Sequence, residues 1–192
     1  MIRKVITVLP EFYLSAAAAI LLIPFPWLLS WIAAALVHEL FHVLAVYGFG
    51  YSVRSVKIGA GGAVIETNMD AGWKNGICSL AGPMGGLLML CLIRIAPRLA
   101  MCGAIQSAYN LLPIIPLDGA CALQSLLGVF FQNTYVIRIA RVVETVIMYT
   151  LFFLALYAFM KLQLGIFPVI TVLILIWRNK KIPCKRCCLA VQ

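Results

Sequence analysis

One apolar segment limits what this chain can fold into more than any other feature. Residues 31–47 read WIAAALVHELFHVLAVY, and before the final tyrosine the only ionisable side chains are His38, Glu39 and His42. A helix that is apolar around its whole circumference lies in a large protein core or in a membrane. The composition decides between them, because 64% of the residues are hydrophobic and 11% are charged, against about 25% charged in an average soluble domain. The sequence therefore predicts an integral membrane protein.

The same segment carries a pattern typical of a metal site. His38 and His42, the two histidines of the chain, are four residues apart. One helical turn separates them, so both imidazoles lie on the same side of the helix and can bind one metal ion. Glu39 follows the first histidine directly and is placed to act as a general base toward a nucleophilic water.

Hydropathy predicts an all-α polytopic protein with about six transmembrane helices, each of about 20 largely apolar residues. The predicted spans are residues 8–24, 27–47, 75–95, 99–115, 140–160 and 162–178. A cleavable signal peptide is the alternative for the first span, but apolar sequence resumes directly after Pro26, which favours a retained span. Two short β-prone runs around a glycine-rich turn at residues 50–67 predict a short β-hairpin near the active site. This hairpin either pairs with an extended substrate or merely connects two spans.

The distribution of basic residues predicts the orientation in the membrane. With six spans, twelve lysines and arginines fall on the side that holds both termini and three on the opposite side, so both termini are expected in the cytoplasm. Anionic lipid at the inner leaflet then accounts for the net charge of +9, and the basic residues need no nucleic-acid partner. Three cysteines of the basic tail, Cys184, Cys187 and Cys188, are expected to be reduced thiols in that compartment.

A third metal ligand must lie at the same depth as the two histidines, and Asp118 meets this condition where the fourth span returns toward the cytoplasm. Pro113 and Pro116 break the helix there, and the freed backbone groups need protein or a water-filled cavity as partners. Two histidines and one aspartate leave a coordination position open, which is typical of a catalytic zinc. Glu144 is predicted to pair with an arginine at the interface, and it is the alternative third ligand.

Three stretches of sequence together resemble the site-2 protease family of intramembrane zinc metalloproteases. They are His38-Glu-Leu-Phe-His42, Leu80-Ala-Gly-Pro83 and Asn110-Leu-Leu-Pro-Ile-Ile-Pro-Leu-Asp118-Gly119. The resemblance is closest to the compact bacterial branch that includes a sporulation protease processing a precursor sigma factor. It implies one zinc ion held by His38, His42 and Asp118, with Glu39 as the catalytic base. It further implies that Asn110 binds the substrate or the developing oxyanion.

The sequence therefore predicts one membrane-embedded metalloprotease domain over residues 1–192. Its parts are a core at 10–130, a C-terminal helical pair at 136–178 and a basic, cysteine-containing cytoplasmic tail at 179–192. The expected activity is zinc-dependent hydrolysis of a peptide bond in or near a transmembrane segment of a regulatory protein. The expected partners are that membrane-spanning or membrane-associated substrate, the lipid bilayer of a bacterial cell membrane and a regulatory membrane protein. The alternative function is a non-catalytic membrane protein that binds or transports metal with the same helix.

Overall fold

α-Helices and one small sheet make up the described part of the chain. The computed structural model describes residues 5–59, 62–68, 72–115, 117–161, 169–170 and 172–176. The strands are β1 (Val5–Val8), β2 (Val53–Gly59) and β3 (Gly62–Thr67). The helices are α1 (Pro10–Leu22), α2 (Phe25–Gly48), α3 (Trp73–Leu88), α4 (Pro97–Asn110), α5 (Asp118–Phe130) and α6 (Asn133–Lys161). A 3₁₀ turn, Met89–Leu92, continues from the end of α3.

Prolines lie at or near the ends of α1 and α4. α1 begins at Pro10 and ends one residue before the Ile23-Pro24 pair, and α4 begins at Pro97 and ends three residues before Pro113. Proline is favoured in the first turn of a helix, whereas the residue preceding a proline is driven out of helical conformation. As a result α1 has 13 residues and α4 has 14, fewer than the about 20 that a bilayer crossing needs.

Three helices are long and apolar enough to cross a membrane among the residues that the structure describes. They are Phe25–Gly48, Trp73–Leu92 and Thr134–Lys161. They coincide with three of the six predicted spans, and together with many exposed apolar side chains on α2 and α6 they indicate a membrane protein. The spans predicted at 8–24 and 99–115 are not confirmed, because the helices found there, α1 and α4, have only 13 and 14 residues. Most of the span predicted at 162–178, like the tail at 179–192, lies outside the described residues.

The predicted β-hairpin is present and belongs to a three-stranded sheet. β2 and β3 pair antiparallel from Gly59–Gly62 back to Val53–Thr67, with an irregularity between Val53 and Ser55. β1 was not predicted, and it pairs parallel with β2 on the other side, so that β2 is the central strand. Val53 packs with Val46 at the end of α2 and with Cys78 of α3, and this contact holds the hairpin beside these two helices.

Glycines allow α3 to lie unusually close to its neighbours. A Cβ atom at Gly85 would lie 2.5 Å from Cγ of Phe41 on α2, and one at Gly86 would overlap with the hydroxyl of Ser107 on α4. Small residues let helix backbones approach closely, which is the usual way of packing helices in membranes. α3 therefore packs tightly against α4 and against α2, the helix that carries the two histidines.

Candidate metal centre

Three side chains that are distant in sequence converge on one point. His38 and His42 project from the same side of α2, and Asp118 is the first residue of α5. The Oδ2 atom of Asp118 lies 3.0 Å from Nε2 of His38 and 3.3 Å from Nε2 of His42, and the two Nε2 atoms are 3.2 Å apart. Among the described residues, these three form the one group of histidine, cysteine and acidic side chains with metal-binding geometry.

The three distances fit a tetrahedral zinc site. Zinc binds histidine nitrogen and carboxylate oxygen at about 2.0–2.1 Å, so neighbouring ligand atoms at tetrahedral angles are about 3.3 Å apart. The observed separations of 3.0–3.3 Å match that spacing on all three edges. Two imidazoles and one carboxylate also leave a fourth vertex without a protein ligand, as catalytic zinc sites do.

A hydrogen bond from His42 fixes its tautomer for metal binding. Nδ1 of His42 donates to the backbone carbonyl of Cys78 on α3 over 2.7 Å. Since a carbonyl can only accept, the proton of a neutral His42 is on Nδ1 and its Nε2 carries a lone pair. That lone pair faces the carboxylate oxygen of Asp118, an arrangement of two acceptors that a cation between them would stabilise. Metal-binding histidines commonly donate their second N–H to such an outer carbonyl.

The site is more open at the aspartate than at the histidines. The side chain of His38 is 6% exposed and that of His42 is 14% exposed, whereas that of Asp118 is 26% exposed. Glu39, on the same turn of α2, is half-buried. The group is therefore most accessible from the side of Asp118.

The end of α4 and the start of α5 meet at Gly119, and this contact places Asp118. A Cβ atom at Gly119 would overlap with the backbone carbonyl oxygen of Leu111, the residue after α4. Glycine thus allows α5 to begin directly against the end of α4. Asn110, the last residue of α4, consequently lies near the site, with its Nδ2 atom 3.5 Å from Nε2 of His38.

Glu144, the alternative third ligand, is not part of the group. Its side chain belongs to α6 and is buried, and Oε1 accepts a hydrogen bond of 2.8 Å from the backbone N–H of Ile115. The structure therefore favours Asp118 over Glu144 as the third ligand.

Comparison with solved structures relates this arrangement to a known fold. The chain is similar to the site-2 protease from Methanocaldococcus jannaschii, with a TM-score of 0.61 and 17% sequence identity. The match covers 92% of this chain and 89% of that protein. The chain has the fold of a site-2 protease. No family model matches the sequence, and no curated protein matches it at a significant level.

Two contacts of the candidate metal centre in this site-2 protease fold were not predicted from the sequence. The Cys78 carbonyl is a backbone group, so the residue type at position 78 does not indicate that it accepts a hydrogen bond from His42. The available signal was Leu80-Ala-Gly-Pro83, which contains Gly82. A Cβ atom at Gly82 would overlap with the imidazole of His42, so the ring occupies the space that the missing side chain leaves.

We expect Gly82→Ala to weaken zinc binding by about 10- to 100-fold, the range seen when outer contacts of a metal site are lost. The added methyl group would displace a ring that the Cys78 carbonyl otherwise holds. Zinc affinity is measured by competition with a chromophoric chelator. Gly128→Ala is the matched control, because no atom of the described residues lies within 4 Å of a Cβ atom at Gly128. Equal affinity in both variants would contradict the packing of His42 against Gly82.

Proposed function

We propose that the chain is an intramembrane zinc metalloendopeptidase that cuts a membrane-spanning or membrane-associated regulatory protein. The convergence of His38, His42 and Asp118 at 3.0–3.3 Å, inside a site-2 protease fold, carries the proposal. Several apolar helices surround this group, and α2 itself is long enough to span a bilayer. A hydrolytic centre in such a setting acts on substrates that reach it through the membrane.

Each polar residue of the site has a distinct part in this proposal. His38, His42 and Asp118 would hold the zinc, which when bound would lower the pKa of a coordinated water to about 7 and polarise the scissile carbonyl. Glu39 accepts the proton of the attacking water and delivers it to the departing amine. The Asn110 amide, 3.5 Å from His38, donates to the oxyanion that develops on the substrate carbonyl.

The substrate must become extended before it is cut. The peptide bonds of a transmembrane helix are hydrogen-bonded within the helix and shielded by side chains, so a helical substrate has to unwind locally. β3 forms one edge of the sheet that packs beside α2 and α3. Strand addition at a sheet edge would compensate the backbone groups that unwinding frees.

The proposal includes the cellular setting. The chain would lie in a bacterial cell membrane with both termini in the cytoplasm, and a regulatory membrane protein would control access of the substrate. The excess of basic residues at the predicted cytoplasmic loops supports this orientation.

Removal of the metal tests the proposal directly. We expect the full chain, purified and reconstituted in lipid, to bind one zinc ion and to cleave a membrane protein that accumulates uncut in cells lacking this chain. Treatment with 1,10-phenanthroline should abolish cleavage, and added zinc should restore it, with product measured by gel and mass spectrometry. Cleavage that persists in metal-free protein would rule out a zinc-dependent mechanism.

A further inference from the structure

A buried carboxylate on α6 contacts the segment that leads to Asp118. Glu144 is 8% exposed, and its Oε1 atom accepts a hydrogen bond of 2.8 Å from the backbone N–H of Ile115. Ile115 lies between α4 and α5, three residues before Asp118. An acidic residue in an apolar helix is costly to bury, and it is usually found where a specific partner requires it.

The backbone donors of this segment show what Glu144 supplies. Pro113 and Pro116 have no N–H, so the seven residues at 111–117 carry five N–H groups. Four of these groups donate to backbone carbonyls of the segment or of α4; they belong to Leu111, Leu112, Ile114 and Leu117. The fifth, that of Ile115, donates to the carboxylate of Glu144. Ile115 is buried. Without the carboxylate of Glu144, its N–H would therefore have no acceptor, and water could not take that place.

Apolar contacts place the same segment against the same face of α6. Ile114, which is fully buried, and Leu117 pack with Met148 and with Leu175. Met148 follows Glu144 by four residues, so both side chains lie on one face of the helix. The hydrogen bond therefore sits beside a packed apolar cluster, where the low local dielectric strengthens it.

We propose that Glu144 is a positioning residue for the metal centre. By holding the Ile115 backbone against α6, it fixes the segment whose two ends carry Asn110 and Asp118, and so keeps both close to His38. The inference deepens the proposed function and rests on it, since it assigns Glu144 a part in building the zinc site. Glu144 acts through the backbone and does not bind the metal.

Three substitutions at Glu144 test this role. Glu144→Ala removes the acceptor, and we expect zinc affinity of the full chain in lipid to fall by about 10- to 100-fold. Glu144→Gln keeps an acceptor oxygen, and its affinity should remain close to that of the unmodified chain. The visible spectrum of the cobalt-substituted protein, which reports ligand geometry, should change in the Ala variant and be restored in the Gln variant. If Glu144→Ala does not fold, Glu144→Asp, with a carboxylate withdrawn by one methylene group, should show the same loss.

Ala155→Gly is the control for general weakening of α6, because Ala155 is buried on the same helix, 11 residues beyond Glu144. It should lower thermal stability and leave zinc affinity unchanged. An equal loss of affinity in Ala155→Gly, or in Glu144→Gln, would overturn the proposal, as would normal affinity in Glu144→Ala.

A readout that needs no metal separates this inference from the proposed function. In metal-free protein, hydrogen exchange at the Ile115 amide should be about 10-fold faster in Glu144→Ala than in the unmodified chain. Faster exchange in a chain that binds zinc but cuts nothing would leave the role of Glu144 intact and refute the protease. Unchanged exchange in an active enzyme would refute the role of Glu144 alone.

Discussion

Glu39→Gln is expected to keep zinc and to lose proteolysis. The amide is nearly the same size as the carboxylate but cannot accept the proton of the attacking water, so the rate of cleavage should fall by about 10²- to 10⁴-fold. Metal content should stay at one zinc per chain, because Glu39 lies outside the group of His38, His42 and Asp118. Zinc is measured by atomic emission on the purified variant, and cleavage in reconstituted membranes.

His38→Ala is the companion variant, and it should lose both zinc and cleavage. The pair separates catalysis from metal binding and also distinguishes the protease from a metal transporter. A transporter needs the ligands but no general base, so Glu39→Gln would leave transport intact. Proteolysis at the normal rate in Glu39→Gln would refute the assignment of Glu39 as base.

The placement of the two histidines on one side of α2 was predictable from the sequence, because helix geometry is local. Four residues make one turn, so the placement of His38 and His42 on one side of α2 follows from spacing alone. Asp118 is 76 residues beyond His42, and its approach could be inferred because prolines break the helix at the depth where a third ligand is needed. The hairpin was likewise predicted from a local pattern, a glycine-rich turn between two short β-prone runs.

The lengths of the helices were harder to predict, because the hydropathy of a stretch does not show at which residue a helix ends. The stretch at 8–24 is apolar enough for a span, yet Pro10 and Pro24 restrict α1 to 13 residues. α5 also has 13 residues, fewer than the about 20 apolar residues by which a span is recognised in a sequence. β1 was missed because its partner is β2, more than 40 residues away, and a parallel pairing leaves no turn signal in the sequence.

The role of Glu144 shows a different limit. A carboxylate near Arg138 and Arg141 was interpreted as an interface ion pair or as a rival ligand. Its Oε1 atom also accepts a hydrogen bond from the backbone N–H of Ile115, which was not predicted, and the pairing with an arginine stays a prediction. Which N–H a proline-rich segment leaves without a backbone partner depends on how that segment turns, and the residue types alone do not reveal it.

Asp118→Ala should remove the metal from the site. Its carboxylate contacts both histidines and supplies the negative charge of the ligand group. Two neutral imidazoles alone would bind zinc weakly, so the loss of affinity should exceed the about 100-fold upper range seen for outer contacts of metal sites. Cleavage should become undetectable, and excess zinc should not restore it at concentrations that saturate the unmodified chain.

Asn110→Ala is the matched control for Asp118→Ala, because Asn110 also lies beside His38, at 3.5 Å, but is proposed to bind the oxyanion and not the metal. It should keep its zinc while kcat falls by about 10²- to 10³-fold, the usual cost of losing one oxyanion donor. Both variants should therefore lose turnover, but only Asp118→Ala should also lose its zinc. Full zinc content in Asp118→Ala would show that the third ligand is another residue, and a parallel loss of zinc in Asn110→Ala would show that the amide helps to form the metal site.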